Sequence, residues 1–277
     1  MARYSARKEI NIGVTVGGLD LSSGFHIIAG PCSVESASQI NSAAAVLADH
    51  GVRILRGGAF KPRTSPYSFQ GLAESGLRLL AQAAAEHGML CVSEVMDTES
   101  VDMASAYLDI LQVGARNMQN FSLLKRLAKQ KKPVLVKRGM SATIEEFLLA
   151  AEYVLQGNEN VILCERGVRS FEPLTRNMLD LAGVALLLRM SHLPVIVDLS
   201  HSTGRADIIP ELARACVAMG ATGIMVEAHP DPHNALCDGE QAMPLEVAAN
   251  MIDDLKPWIE LRTQLDSDKA AEPTSAI

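Results

Sequence analysis

Short apolar runs recur along the chain, each closed by turn-forming or polar residues and followed by an Ala/Leu-rich stretch. The runs are His26-Ile-Ile-Ala29, Arg53-Ile-Leu55, Met89-Leu-Cys-Val92, Leu108-Asp-Ile-Leu-Gln-Val113, Pro133-Val-Leu-Val136, Val161-Ile-Leu-Cys164, Pro194-Val-Ile-Val197 and Gly223-Ile-Met-Val226. Runs this short, rich in Val and Ile and bounded by turn residues, predict buried strands. Between them Ala43–Leu47, Leu77–Ala85, Leu123–Leu127, Phe147–Leu155 and Leu179–Leu188 carry apolar residues at three-to-four spacing. Val247, Met251, Leu255 and Trp258 add a last stripe, and each of these patterns predicts an amphipathic helix. Thr143 ahead of Glu145-Glu146 and Ser100 after Glu99 are predicted caps.

Strand and helix alternating eight times predict the α/β class and a (β/α)8 TIM barrel. The competing doubly wound sheet uses fewer strands and opens on a Gly-rich turn, and neither GxGxxG nor GxxxxGK[ST] is present. On this reading residues 1–24 are a short N-terminal extension, a hairpin or plug closing the barrel bottom. Residues 25–265 are the catalytic barrel, residues 266–277 a disordered tail, and no regulatory domain is expected.

A composition of 48% hydrophobic and 21% charged residues excludes a disordered chain. The net charge of −7 and the 4% aromatic content oppose general nucleic-acid binding. No apolar run is long enough to span a membrane, and Met1–Lys8 lacks the apolar core of a signal peptide. Cys32, Cys91, Cys164, Cys216 and Cys237 are odd in number and contain no CxxC pair, which predicts reduced thiols and a cytoplasmic protein.

One stretch concentrates cations: Leu55-Arg-Gly-Gly-Ala-Phe-Lys-Pro-Arg-Thr-Ser-Pro-Tyr67 holds Arg56, Lys61 and Arg63 among glycines and prolines. A Gly/Pro-rich loop lets such charges converge, and Arg forks with a Lys point charge suit a phosphate or carboxylate. A solvated basic loop is the other reading. In a barrel the C-terminal strand ends gather function, and here they carry Gly30-Pro-Cys-Ser33, Ser93-Glu94, Gly114-Ala-Arg-Asn117, Lys137-Arg-Gly139, Glu165-Arg-Gly167, Asp198-Leu-Ser-His-Ser-Thr-Gly204 and Glu227-Ala-His229, followed by Asp238-Gly-Glu-Gln241.

Two subsets separate. Arg56, Lys61, Arg63, Arg116, Lys137 and Arg166 make a cationic mouth that bound anions would relieve, with Glu94, Glu165 or Asp198 expected to neutralise some of them. Cys32, His201, Glu227 and Asp238 lie on strands that closure makes neighbours, so a thiolate, an imidazole and two carboxylates could surround one divalent cation. Their spacing alone also permits Cys32 to be a buried, inert thiol.

Gly30-Pro-Cys-Ser33, Lys61-Pro-Arg-Thr-Ser65, Gly114-Ala-Arg-Asn117, Ser200-His-Ser-Thr-Gly204 and the Asp238-Gly pair together resemble the 3-deoxy-7-phosphoheptulonate synthase family. The likeness is to its short class I-beta type, related to 3-deoxy-octulosonate 8-phosphate synthase, and runs from about Ile27 to the final helix. The Lys-Pro-Arg-Thr form of the loop is similar to the heptulosonate branch, since the octulosonate branch carries Ala-Asn-Arg there. The resemblance implies a metal-dependent condensation of phosphoenolpyruvate with erythrose 4-phosphate, the entry step of the shikimate pathway.

Carried over by position, it implies Cys32, His201, Glu227 and Asp238 as ligands of a divalent metal (Mn, Fe, Co or Zn). It implies Arg56, Lys61, Ala115, Arg116, Lys137 and Arg166 for phosphoenolpyruvate, and Arg63 and Thr64 for the sugar phosphate. Lys61, Lys137, His201 and Glu94 are the catalytic candidates, with Lys137 and Glu94 for proton handling or water placement. A homo-oligomer, tetramer or dimer, and a chorismate mutase partner are further expectations. Leu199, Ser202 and Phe60 depart from the family pattern, which has Pro, Ala or Gly, and Tyr at these places; none is a proposed ligand. A synthase for another aldose phosphate, or a catalytically silent sugar-phosphate-binding paralogue, are the alternatives.

Overall fold

Ile28, Ile54, Val92, Ile110, Leu135, Ile162, Ile196 and Met225 come from eight different strands and pack into a single apolar cluster. In a strand side chains alternate between faces, so these residues fix one face as the interior of a ring. The computed structural model describes residues 13–61 and 65–271. Its strands in chain order are β1 (Thr15–Val16), β2 (Leu19–Asp20), β3 (His26–Gly30), β4 (Ile54–Arg56), β5 (Leu90–Glu94), β6 (Ile110–Val113), β7 (Val134–Lys137), β8 (Val161–Glu165), β9 (Val195–Asp198), β10 (Gly223–His229) and β11 (Met243–Pro244). The helices are α1 (Ala37–Asp49), α2 (Ala73–Glu86), α3 (Ser100–Tyr107), α4 (Phe121–Leu127), α5 (Ile144–Leu155), α6 (Leu181–Met190), α7 (Leu199–Thr203), α8 (Ile209–Met219) and α9 (Leu245–Ala271).

Strands β3 to β10 pair in parallel and in sequence order, and the β10–β9 and β10–β3 pairings close the ring. The fold is the expected (β/α)8 barrel, and β11 adds a short parallel strand outside the ring, on β10. The alternate strand residues, such as Leu55, Leu111, Val136, Leu163, Val197 and Val226, point outward and form a second, larger core beneath the helices. No helix among the described residues is long and apolar enough to cross a membrane.

The β1–β2 hairpin is antiparallel, and Val14, Val16 and Leu21 join the interior cluster with the barrel residues. Thr143 caps α5 in a reciprocal box with Glu146. At α3 the start falls at Ser100, but the cap is Asp97, whose Oδ1 accepts from the Glu99 and Ser100 N–H groups. One boundary needs correction: α9 runs to Ala271, so residues 266–271 are helical rather than part of a disordered tail. The physical reason is an i,i+4 ion pair, Arg262 Nε to Asp266 Oδ2 at 2.7 Å, and anchoring of Arg262 Nη1 on the Ala218 carbonyl at 2.7 Å. Residues 272–277 lie outside the described residues, as do 1–12.

Candidate active site

Two residues beyond the apolar layer, on the same inward face, stand Arg56, Glu94, Gln112, Lys137, Cys164, Asp198 and Glu227. The period of the strand places them there, and the mouth of the barrel is therefore a charged layer resting directly on an apolar one. On β3 the equivalent residue is Gly30, at φ +146, where a Cβ would run into the Arg56 carbonyl. That missing side chain lets β3 and β4 close tightly beneath Cys32 and Arg56.

Ion pairs organise this layer. Arg56 Nη1 donates to Glu227 Oε1 at 2.8 Å, and Lys137 pairs with Asp198. Asp198 also caps the short helix α7 by accepting from the His201 N–H at 3.1 Å, and its Oδ2 meets His201 Nδ1 at 2.9 Å. Glu165, expected to neutralise a mouth cation, instead bonds Arg138, which also takes Asp180 at 2.7 Å. Arg138 directly follows β7 in its outward register, so this pair belongs to the barrel wall.

Cys32, His201, Glu227 and Asp238 each offer one donor atom, and these atoms lie within 4.8 Å of one another. The arrangement fits a divalent cation. Burial pushes the His201 imidazole below its ordinary value against the pull of Asp198 and Glu227, and its Nδ1 lies 2.9 Å from Asp198 Oδ2. Its Nε2 faces Glu227 Oε1 at 3.3 Å, so the free ring nitrogen and a carboxylate oxygen point at the same spot, as two ligands of one cation would. Glu227 is drawn down to about 2: burial opposes its charge, but His201, Arg56, Lys61 and the Gln241 amide favour it. The Cys32 thiol is pushed up by its Cys237 hydrogen bond, by burial and by Glu227, while Lys61 at 3.0 Å and Arg56 pull it down. A thiolate, an imidazole and two carboxylates suit Mn, Fe, Co or Zn.

Beside this donor set opens a cleft lined by Arg56, Lys61, Glu94, Arg116, Lys137 and Arg166 among others. Ala115 and His201 reach the same cleft. Arg166 is buried, and its Nη1 has no hydrogen-bond partner among the described residues. Burial and the neighbouring Arg176 and Arg116 push its guanidinium below its ordinary value, against the pull of Asp198. Such an unsatisfied cation is a socket for an anion.

Comparison with known proteins agrees with this geometry. The DAHP synthetase I family is matched over residues 12–266. The chain belongs to the DAHP synthetase I family. It is 50% identical over 245 residues to the phospho-2-dehydro-3-deoxyheptonate aldolase of Thermotoga maritima, covering 88% of this chain and 72% of that protein. A crystal structure of that Thermotoga maritima enzyme superposes with a TM-score of 0.91 at 46% identity, covering 94% of this family member and 77% of the other chain. A more distant relative is the 2-dehydro-3-deoxyphosphooctonate aldolase of Acidithiobacillus ferrooxidans, 33% identical over 241 residues, 80% of this chain and 84% of that one.

Of the site residues read from the sequence of this family member, all but Arg63 and Thr64 stand in or beside the cleft; those two lie outside the described residues. Leu199, one of the expected departures from the family pattern, is fully buried in the outer core, and Ser202 donates to its carbonyl at 2.8 Å. Sequence reasoning passed over Arg176, Met140 and Gln112, which also line the cleft. Gln112 carried a signal, its inward register on β6. Arg176 sits mid-way along the β8–α6 loop, where no periodicity marks it.

Proposed function

We propose that this chain is a 3-deoxy-7-phosphoheptulonate synthase, condensing phosphoenolpyruvate with erythrose 4-phosphate and releasing phosphate at the entry to the shikimate pathway. The observation that carries the reading is the placement of four cation-ligand donors, within 4.8 Å of one another, beside a cleft lined by five Lys and Arg side chains besides Arg176. Two phosphates and a carboxylate would account for that excess of positive charge.

Arg116, Arg166, Lys137, Arg56, Lys61 and the Ala115 backbone would hold phosphoenolpyruvate, with Arg63 and Thr64 on the sugar phosphate. A divalent cation on Cys32, His201, Glu227 and Asp238 would supply Lewis acidity to the aldehyde oxygen of the sugar. C3 of phosphoenolpyruvate bonds to the aldehyde carbon, water adds at C2, and the hemiketal phosphate expels phosphate. The Glu94 carboxyl is pushed up by burial, against Lys61, Lys137 and Arg116, a shift toward the protonated form that suits a proton-handling role. Lys137, paired with Asp198, keeps its ammonium aimed into the cleft.

A cytoplasmic homo-oligomer is part of the same reading, supported by five cysteines, none of them in a disulfide, and by the exposed Phe171 and Leu174. A chorismate mutase partner is a further proposal. The test is phosphate release from phosphoenolpyruvate with erythrose 4-phosphate, with and without EDTA. Release that EDTA abolishes and Mn2+ restores is the expected result, and Cys32→Ala should lose it. Release with arabinose 5-phosphate alone would overturn the choice of sugar, and no release with any aldose phosphate would favour the silent paralogue.

A further inference from the structure

Gln241 ends the 3-10 turn Gly239–Gln241 that follows Asp238. Its side chain is buried between groups of opposite charge. Arg176 Nη1 donates to Gln241 Oε1 at 2.9 Å, and Gln241 Nε2 donates to Glu227 Oε2 at 2.7 Å. A guanidinium only donates and an ionised carboxylate only accepts. The amide therefore has a single orientation that satisfies both neighbours.

Glu227 has its other oxygen, Oε1, on Arg56 Nη1 at 2.8 Å and facing His201 Nε2 at 3.3 Å. The terminal torsion of a carboxylate is soft, so a bond on one oxygen leaves its plane free to turn. Bonds from Arg56 on Oε1 and Gln241 on Oε2 hold that plane from both ends. Gln241 in turn is held by Arg176, whose backbone N–H bonds the Thr203 carbonyl at 2.8 Å on the turn that carries His201.

The same bridge braces Asp238. This residue has φ +51, the left-handed region that costs a non-glycine residue strain. Such a conformation persists where its flanks are held. On the N-terminal side the Leu236 N–H donates to Glu35 Oε1 at 2.9 Å, and on the C-terminal side stands Gln241.

We propose that Gln241 is a positioning residue of the mouth, setting the carboxylate plane of Glu227 and the turn of Asp238 so that both present an oxygen to the donor set. The inference rests on the reading that Cys32, His201, Glu227 and Asp238 hold a divalent cation. Gln241 acts through Glu227 and Asp238.

Gln241→Met keeps nearly the length and volume of the side chain and removes both hydrogen bonds. Gln241→Asn keeps the amide and is one methylene too short to bridge. The dissociation constant for Mn2+ alone is measured on the full chain by competition with a chelating dye, alongside thermal melts in EDTA and KM for phosphoenolpyruvate at saturating Mn2+. Both variants are expected to bind Mn2+ roughly 10–100-fold more weakly, with KM within about two-fold and the EDTA melt retained. Should the Met variant not fold, the Asn variant decides by the same readout. Wild-type Mn2+ affinity in the folded variants overturns the inference and leaves the donor set intact. Failure of the wild-type chain to bind Mn2+ overturns the donor set itself, and this inference with it.

Discussion

The Glu94 carboxylate lies against the Cα of Gly114, in the space that a side chain at that position would occupy. Glu94 ends β5 and Gly114 directly follows the neighbouring β6, and a Cβ on Gly114 would collide with the Glu94 carboxyl group. Gly114→Ala is therefore expected to swing Glu94 away from Lys61 and Lys137. Phosphate release should fall at least ten-fold while stability drops by about 1–3 kcal/mol. Steady-state kinetics beside urea unfolding would check this, and unchanged turnover would remove Glu94 from the proton-handling role.

Arg166 is a buried cation whose Nη1 has no hydrogen-bond partner among the described residues. Replacing it by Met removes a buried guanidinium whose Nη1 is unsatisfied. The ligand-free protein is expected to gain about 1 kcal/mol or more, while KM for phosphoenolpyruvate rises at least ten-fold. Urea midpoints with and without phosphoenolpyruvate would show both. A variant that is less stable than the wild type, or whose KM is unchanged, contradicts the assignment.

Arg138 behaves in the opposite way, because its partner is anionic and buried. Arg138→Met should cost about 3–5 kcal/mol by leaving Glu165 unpaired. Burial already raises the Glu165 carboxyl against the pull of Arg138 and the Gly167 N–H. A folded value above the unfolded one favours folding only at low pH, and that benefit is lost as pH rises. Above the ordinary Glu range, about 4.3, the variant should therefore lose more stability at pH 8 than at pH 5, and Glu165→Gln should restore part of it. Urea titrations at the two pH values test the sign.

Asp97 provides a milder case at the head of α3. Its carboxyl is drawn below the usual range by the Ser100 N–H and hydroxyl and the Glu99 N–H, against slight burial. Here the folded value lies under the unfolded one, near 3.9. The stabilisation is thus present above that value and lost as pH falls through the folded one. Asp97→Ala should cost about 1 kcal/mol at pH 7, and the gap to wild type should close in strong acid. A gap that persists at pH 2 would assign the loss to packing instead.

Much of this site was legible in the chain. Alternation along each apolar run is a local property of extended backbone, so it places Arg56, Glu94, Lys137, Asp198 and Glu227 on one face before any tertiary contact exists. The eight runs and their helices likewise predict the ring, and Thr143 with Glu146 the start of α5. The end of α9 was hidden, because the ion pair that extends it depends on Arg262 finding the Ala218 carbonyl on another helix.

What only the tertiary structure decided is which charge meets which. Cys32, His201, Glu227 and Asp238 are brought within 4.8 Å by pairing of β10 with both β9 and β3 and by the turn at Asp238. The same closure gives Glu227 to Arg56, Asp198 to Lys137 and Glu165 to Arg138, and sends Arg176 across the mouth to Gln241. Coulomb and hydrogen-bond energies depend on distances of a few ångströms. Between residues tens to hundreds apart in sequence, ring closure and loop conformation set those distances.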